Sequence, residues 1–417
     1  MSKTIQFAPQ AGALGKICLQ LPNTNDTDLD FSRNSQATVR NKDGILDTNW
    51  SANLPRYNFE AGDPCPSLLV EPQSTNLVTY SEDFSNESWI KRQSTLVLNS
   101  SISPSGTNNM TKIIINNGVD ASSAGAGVRK SLTISSATTY TYSYYVKKAE
   151  WNGINLLAST SSGSCTGQFD IENGVVTNTI SNGDFTNVLA KIINFGEDIY
   201  RVSLTFTSGV DTSLVIFLWG FNDNPLNDVG DGTSGLYIWG AQLEEQSYST
   251  SYIPTSGATA TRVAETVSKT GLENYINSSE GVLYLNSKAL FNNGTFRNIS
   301  LSDGTSNNRV LFYYSSNTNQ IGYSVEVGGV SQAGGVFTVT DITDFNHYAI
   351  KWKENDFALW VNGVEVLTDV SGSVFPTNTL NRLGFDNSSA GNFLGALKDL
   401  RVYNQILKDS ELSLLKS

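Results

Sequence analysis

Along most of the chain, apolar residues come in short runs, often with period two, separated by clusters of Gly, Asn, Ser and Thr. The clearest case is Tyr140-Thr141-Tyr142-Ser143-Tyr144-Tyr145-Val146, which places Tyr140, Tyr142, Tyr144 and Val146 on one face of a strand. Similar runs at 96–98, 112–115, 199–206, 214–219 and 236–239 make a first series of strands. A second series is read at 281–286, 298–301, 309–314, 321–327, 335–339, 346–352, 356–361, 381–385 and 395–403. Turn residues fall between the runs without helical intervals, which predicts antiparallel sandwiches rather than strand–helix–strand units. Asn362-Gly363 marks a hairpin turn, as does Asp43-Gly44. Only 409–415 reads as a helix, with Asp409 or Ser410 as its N-cap.

The pattern divides the chain into three parts. Residues 1–77 are irregular, with short apolar groups broken by Pro22, Pro55, Pro64, Pro66 and Pro72. Residues 78–265 hold the first strand series, and 266–417 the second, with a Ser/Thr/Gly-rich passage near 251–260 between them. The predicted fold is therefore all-β, two consecutive antiparallel sandwiches of jelly-roll type after an extended N-terminal segment.

Composition narrows the function. In 417 residues only 16% are charged, the net charge is −12, and there is one histidine, His347. An acidic chain lacks the basic footprint that nucleic-acid binding needs. One histidine cannot supply a two-histidine metal site, and His347, which opens a strand, reads as structural. Cys18, Cys65 and Cys165 are odd in number and widely spaced, which predicts free thiols rather than a disulfide framework. The N-terminus shows no apolar signal region, and no stretch approaches the roughly 18 apolar residues of a membrane span.

Candidate chemistry is of four kinds. Paired carboxylates for glycan hydrolysis would need a strand run such as Glu-x-Asp-x-x-Glu, and none is present. Glu244 and Glu245 are adjacent and would point to opposite faces, so no enzyme is expected. The loop 222–231 gathers three Asp and three Asn. Asp223, Asp228 and Asp231 are the candidate ligands of a structural Ca²⁺, the one cofactor the sequence suggests. Gly230-Asp231-Gly232-Thr233-Ser234-Gly235 fits a dinucleotide-loop spelling, but it precedes a strand rather than a helix and reads as a turn. Trp151, Tyr313, Tyr314 and Trp360 are the candidate aromatic platforms for a sugar, each with Asn or Arg close by in the chain or on a hairpin.

Three stretches carry a family resemblance. Phe31-Ser32-Arg33-Asn34-Ser35-Gln36-Ala37-Thr38, Asn53-Leu54-Pro55-Arg56-Tyr57 and Leu68-Leu69-Val70-Glu71-Pro72-Gln73-Ser74-Thr75-Asn76-Leu77 resemble a module of tailed-bacteriophage surface proteins, found on head fibres and tail-associated proteins. Leu236-Tyr237-Ile238-Trp239-Gly240-Ala241-Gln242-Leu243-Glu244-Glu245, with Tyr252-Ile253-Pro254-Thr255, resembles the closing strands of a carbohydrate-binding-module-like jelly roll. His347-Tyr348-Ala349-Ile350-Lys351-Trp352, Leu359-Trp360-Val361-Asn362-Gly363 and Lys398-Asp399-Leu400-Arg401-Val402-Tyr403 resemble a laminin-G-like, concanavalin-type lectin sandwich.

The resemblance implies a virion protein made in the host cytoplasm and docked to other virion proteins through residues 1–77. It would display lectin-like domains toward host-surface glycans, in a homo-oligomer. A purely structural capsid, neck or tail component is the rival that the same residues allow.

Overall fold

The computed structural model describes residues 3–9, 12–21, 27–120, 126–222, 228–388 and 390–416. Its named strands all pair antiparallel and, apart from two short pairs (Ala37–Arg40 with Leu46–Trp50, and Ser74–Asn76 with Ala260–Arg262), build two sandwiches, as the alternating pattern implied.

The first sandwich is a jelly roll of two six-stranded sheets. One sheet runs in the order Ser94–Ile102, Asn108–Ile115, Gly235–Glu244, Thr139–Lys148, Ile199–Thr207, Thr186–Gly196. The other runs Ile90–Arg92, Gly127–Thr133, Ser213–Phe221, Gly153–Ser159, Gly163–Asp170, Val175–Gly183. Tyr140, Tyr142, Tyr144 and Val146 do face one core, with Trp89, Ile154, Leu156, Leu204, Phe206, Ile216 and Leu218. Tyr145 points the other way and joins Trp239 and Tyr252 in a separate aromatic cluster.

The second sandwich departs from the expected organisation. Its eight-stranded sheet holds Glu280–Ala289, Asn346–Lys353, Phe357–Val361, Val364–Asp369 and Gly395–Tyr403, but also Lys3–Phe7, Arg56–Asn58 and Ser67–Val70. Gly395–Tyr403 pairs with Glu280–Ala289 on one edge. On its other edge it pairs with Lys3–Phe7 and then Ser67–Val70, end to end. The facing nine-stranded sheet likewise takes Gly12–Ala13, Lys16–Ile17 and Leu29–Ser32 beside Thr266–Lys269, Arg382–Gly384, Arg297–Ser302, Arg309–Tyr314, Gln320–Val327 and Val330–Thr338. Ile5, Phe7, Ile17, Leu29, Phe31, Leu68 and Val70 are buried in the same core as Leu283, Phe312, Trp352 and Val402.

The extended segment expected over 1–77 is thus built into the lectin-like sandwich rather than standing apart from it. The jelly roll leaves and rejoins this body through one stem, where Ser74–Asn76 pairs with Ala260–Arg262.

Beside the stem lies a node of buried ions. Glu265 accepts from Arg33 Nη1 at 2.8 Å, Arg56 Nε at 2.8 Å and Arg56 Nη2 at 2.6 Å. Glu71 is paired with Arg56 at 2.8 Å and Arg262 at 3.1 Å, and accepts from the Ser251 N–H and hydroxyl. Charges removed from water need such pairing at every oxygen and proton. Arg33, Arg56 and Glu71 belong to the stretches that resemble a phage surface module. In this fold their work is to lock the first 71 residues to the stem.

The Asn362-Gly363 turn forms as read. Both residues have positive φ, 49° and 79°, and Val361 pairs with Val364 across it. The C-terminal helix is Asp409–Leu412, shorter than the 409–415 read from the sequence; its N-cap is Lys408 rather than Asp409 or Ser410, and Glu411 accepts from the Lys408 N–H at 2.9 Å.

Candidate functional site

The four aromatic residues expected as platforms fall in different places. Trp151 is 6% exposed and sits in the jelly-roll core; Gly220 leaves room for its ring, since a Cβ there would lie 3.0 Å from Trp151 Cε3. Tyr314 is fully buried, and its hydroxyl meets Ser287 Oγ at 3.0 Å. Trp360 lies on the outer face of the eight-stranded sheet but is covered by Leu412 and Leu415 of the C-terminal helix and its extension. None of these three rings can offer a face to solvent. Adjacency to Asn or Gly in the chain said nothing of which way each ring points, and the cores took the large apolar surfaces.

Tyr313 is the exception. Alternation along Arg309–Tyr314 sends Val310, Phe312 and Tyr314 into the core and leaves Tyr313 on the outer face of the nine-stranded sheet, partly open. The register sets Asn298, Tyr313, Gly322 and Val336 side by side in one row. The Tyr313 ring lies down on Gly322: a Cβ at that position would meet Tyr313 Cζ at 2.4 Å and its hydroxyl at 2.5 Å. Only glycine permits this close approach. Phe296, 49% exposed, stands beside it with ring centroids 5.8 Å apart and planes tilted by 45°. Phe296 escaped the sequence reading because it precedes its strand in a Gly-Thr-Phe loop with no alternation to place it.

Polar groups continue the same face. Asn298 donates to the Gly391 carbonyl at 2.6 Å. Four residues along the strand from Tyr313, about 13 Å at strand rise, Arg309 pairs with Glu326 at 2.6 Å and donates to Asn387 Oδ1. Arg382 makes two bonds to Asp386, at 2.8 and 2.6 Å. Asn298 is buried beneath Gly391, so the open surface is the Tyr313–Phe296 pair with guanidinium and carboxylate groups about 13 Å along the strand, a span that suits stacking and hydrogen bonding of a short oligosaccharide.

Asp223 lies outside the described residues. Asp231 accepts from the Thr233 N–H at 2.8 Å and from the Ser234 N–H and hydroxyl at 2.7 and 2.6 Å, and the Ser234 bonds foremost hold its carboxyl well below the usual carboxylate range. Asp228 accepts from the Asn222 N–H. Among the described residues, no group of three or more His, Cys, Asp or Glu is placed to hold a metal ion. His347 Nδ1 meets the Tyr284 hydroxyl at 2.6 Å, within a sheet. No helix among the described residues is long and apolar enough to cross a membrane.

A larger concavity, about 790 Å³, lies between the two sandwiches. Its walls come from the N-terminal strands and loops (Arg40, Phe59, Glu60), the jelly-roll strands Thr186–Gly196 and Ile199–Thr207 (Lys191, Ile193, Phe195, Arg201), and the lectin-like sandwich (Lys288, Leu290, Asp344).

Residues 283–413 match the family model described as the Concanavalin A-like lectin/glucanases superfamily. No curated protein matches the chain. Among solved structures, the Ruminococcus gnavus IT-sialidase CBM40 is 19% identical with a TM-score of 0.29, over 34% of this chain and 84% of that one. Mouse laminin alpha1 domains LG4-5 are 12% identical with a TM-score of 0.24, over 65% and 84% of the two chains. The Trypanosoma rangeli sialidase in complex with the inhibitor DANA is 11% identical with a TM-score of 0.27, over 74% and 60%. At these values the likenesses carry no argument about the site.

Proposed function

We propose that this chain is a glycan-binding adhesin displayed on the surface of a tailed bacteriophage, and that it binds rather than cleaves. The observation that carries the binding reading is the Tyr313 ring laid on Gly322 beside exposed Phe296, on a sheet within the lectin-type match. The absence of a Glu-x-Asp-x-x-Glu strand run supports binding over hydrolysis.

The virion reading rests on the resemblance of the stretches around Arg33, Arg56 and Glu71 to phage surface modules. With its strands committed to the sandwich, residues 1–77 would meet a virion partner through exposed turns such as Lys42-Asp43 and Ala61-Gly62. Many displayed copies would convert weak sugar sites into firm adhesion. The test has two arms: antibody labelling of intact particles, and binding of the purified chain to host-surface polysaccharides. Label on the particle with polysaccharide binding is expected. Label without any polysaccharide binding would favour a structural component, and no label would remove the virion reading.

A further inference from the structure

We propose that the cleft between the sandwiches is a second binding site, selective for a carboxylate-bearing saccharide held by Lys191 and Lys288 against the Phe195 ring. That the ligand is a sugar rests on the glycan-binding reading above; that it is an acid rests on the cleft alone.

The cleft is cationic in a chain of net charge −12. Arg40 is nearly buried and donates only to carbonyls, those of Gly44, Phe59 and Phe195, while its guanidinium lies 4.7 Å from the Phe195 ring centre. Arg201 donates to the Thr250 carbonyl and Ser143 Oγ over the Tyr145 ring. Neither has a carboxylate partner among the described residues.

The acids of the cleft do not cancel this charge. Glu71 is already shared by Arg56 and Arg262 behind the wall. Glu60 pairs with Lys288 at 2.5 Å from a half-open position, so an incoming carboxylate can share or replace it. Asp344 lies exposed at the rim.

Lys191 is the cation without a mate. Its ammonium makes no hydrogen bond or ion pair among the described residues and lies 6.0 Å from the Phe291 ring centre. Lys191 is exposed at the mouth of the cleft, and partial desolvation there lowers its pKa, with nearby Lys288 lowering it further against a weaker opposing pull from Asp341. Two like charges lining one cleft repel, and a bound carboxylate relieves that repulsion. Ile193, Phe195 and Leu290 supply apolar surface for the sugar ring. The volume falls within the usual range of small-ligand sites, about 300–1,000 Å³.

Calorimetry on the full chain tests this with trigalacturonate and sialyllactose as acidic probes, and with their carboxyl-reduced counterparts as controls. At least one acid should bind, and its reduced form should bind roughly ten-fold more weakly or worse, as expected when a charge-assisted hydrogen bond is lost. Lys191→Gln should cause a similar loss and Lys191→Glu a larger one, both with unchanged melting temperature. Tyr313→Ala should leave acid binding intact. Binding by neither acid, equal binding of acid and reduced sugar, or full affinity in Lys191→Glu would each overturn the proposal. Loss in Tyr313→Ala alone would also overturn it, by moving the acid to the sheet. Loss of neutral-glycan binding would strike the lectin reading instead and leave the cleft's charge selectivity to be read separately.

Discussion

Arg56 grips Glu265 through two parallel hydrogen bonds, Nε to Oε1 at 2.8 Å and Nη2 to Oε2 at 2.6 Å, with both side chains wholly buried. The partners are 209 residues apart, on either side of the inserted jelly roll. Glu265→Gln removes the charge that compensates both Arg56 and Arg33. A loss of about 3–5 kcal/mol in unfolding free energy is expected, as for breaking a buried pair from one side. Denaturant titration of the second sandwich measures it, and a loss below about 1 kcal/mol would mean that the node is solvated.

The same node gives a pH signature. Burial alone would raise the Glu71 carboxyl, but Arg262 and Arg56 outweigh it and hold the pKa at about 2, below the ordinary 4.5. A folded-state pKa depressed in this way contributes stability that is complete above the unfolded value and is lost as pH falls toward the folded one. Melting temperature should therefore show a step between about pH 4.5 and 2 that shrinks in Glu71→Gln. An identical step in that variant would assign the acid transition to other carboxylates.

Removing residues 1–8 tests how the sandwich is closed. Ile5 and Phe7 are fully buried, and their strand covers the open edge of Gly395–Tyr403. The shortened chain should melt at least several degrees lower and tend to associate through the exposed edge. An unchanged melting curve would fit a free attachment arm instead.

Trp151→Ala and Trp360→Ala should act on stability, not on sugar contacts. Each empties a buried site, and about 3–5 kcal/mol is the usual cost of such a truncation. Glycan affinity measured on the folded fraction should stay at the wild-type level for both.

Much of the fold was legible because period-two alternation is local. Tyr140–Val146 showed its core face, and the run over 395–403 coincides with the strand found there. The N-terminal strands were not legible. Ile5 pairs with Val402 and Leu68 with Leu397, and nothing within a few residues of either signals a partner so far along the chain. Strands such as Gly163–Asp170 and Val175–Gly183 are too polar to stand out, the latter being exposed throughout. At the candidate site, alternation required one of Tyr313 and Tyr314 to face out, but only the paired register decided which. The ion node was invisible as a node, because Arg33, Arg56, Glu71, Arg262 and Glu265 meet only after folding.

The central claim is that the Tyr313–Phe296 surface binds sugar. Its most direct test is a glycan array, followed by titration of the best ligand, on wild-type chain, Tyr313→Ala and Phe296→Ala. The account predicts glycan binding by the wild type, weakened roughly ten-fold or more by Tyr313→Ala and less by Phe296→Ala, with melting temperatures within a few degrees of one another. Wild-type affinity in a folded Tyr313→Ala chain, or no glycan bound by the wild type, would contradict it.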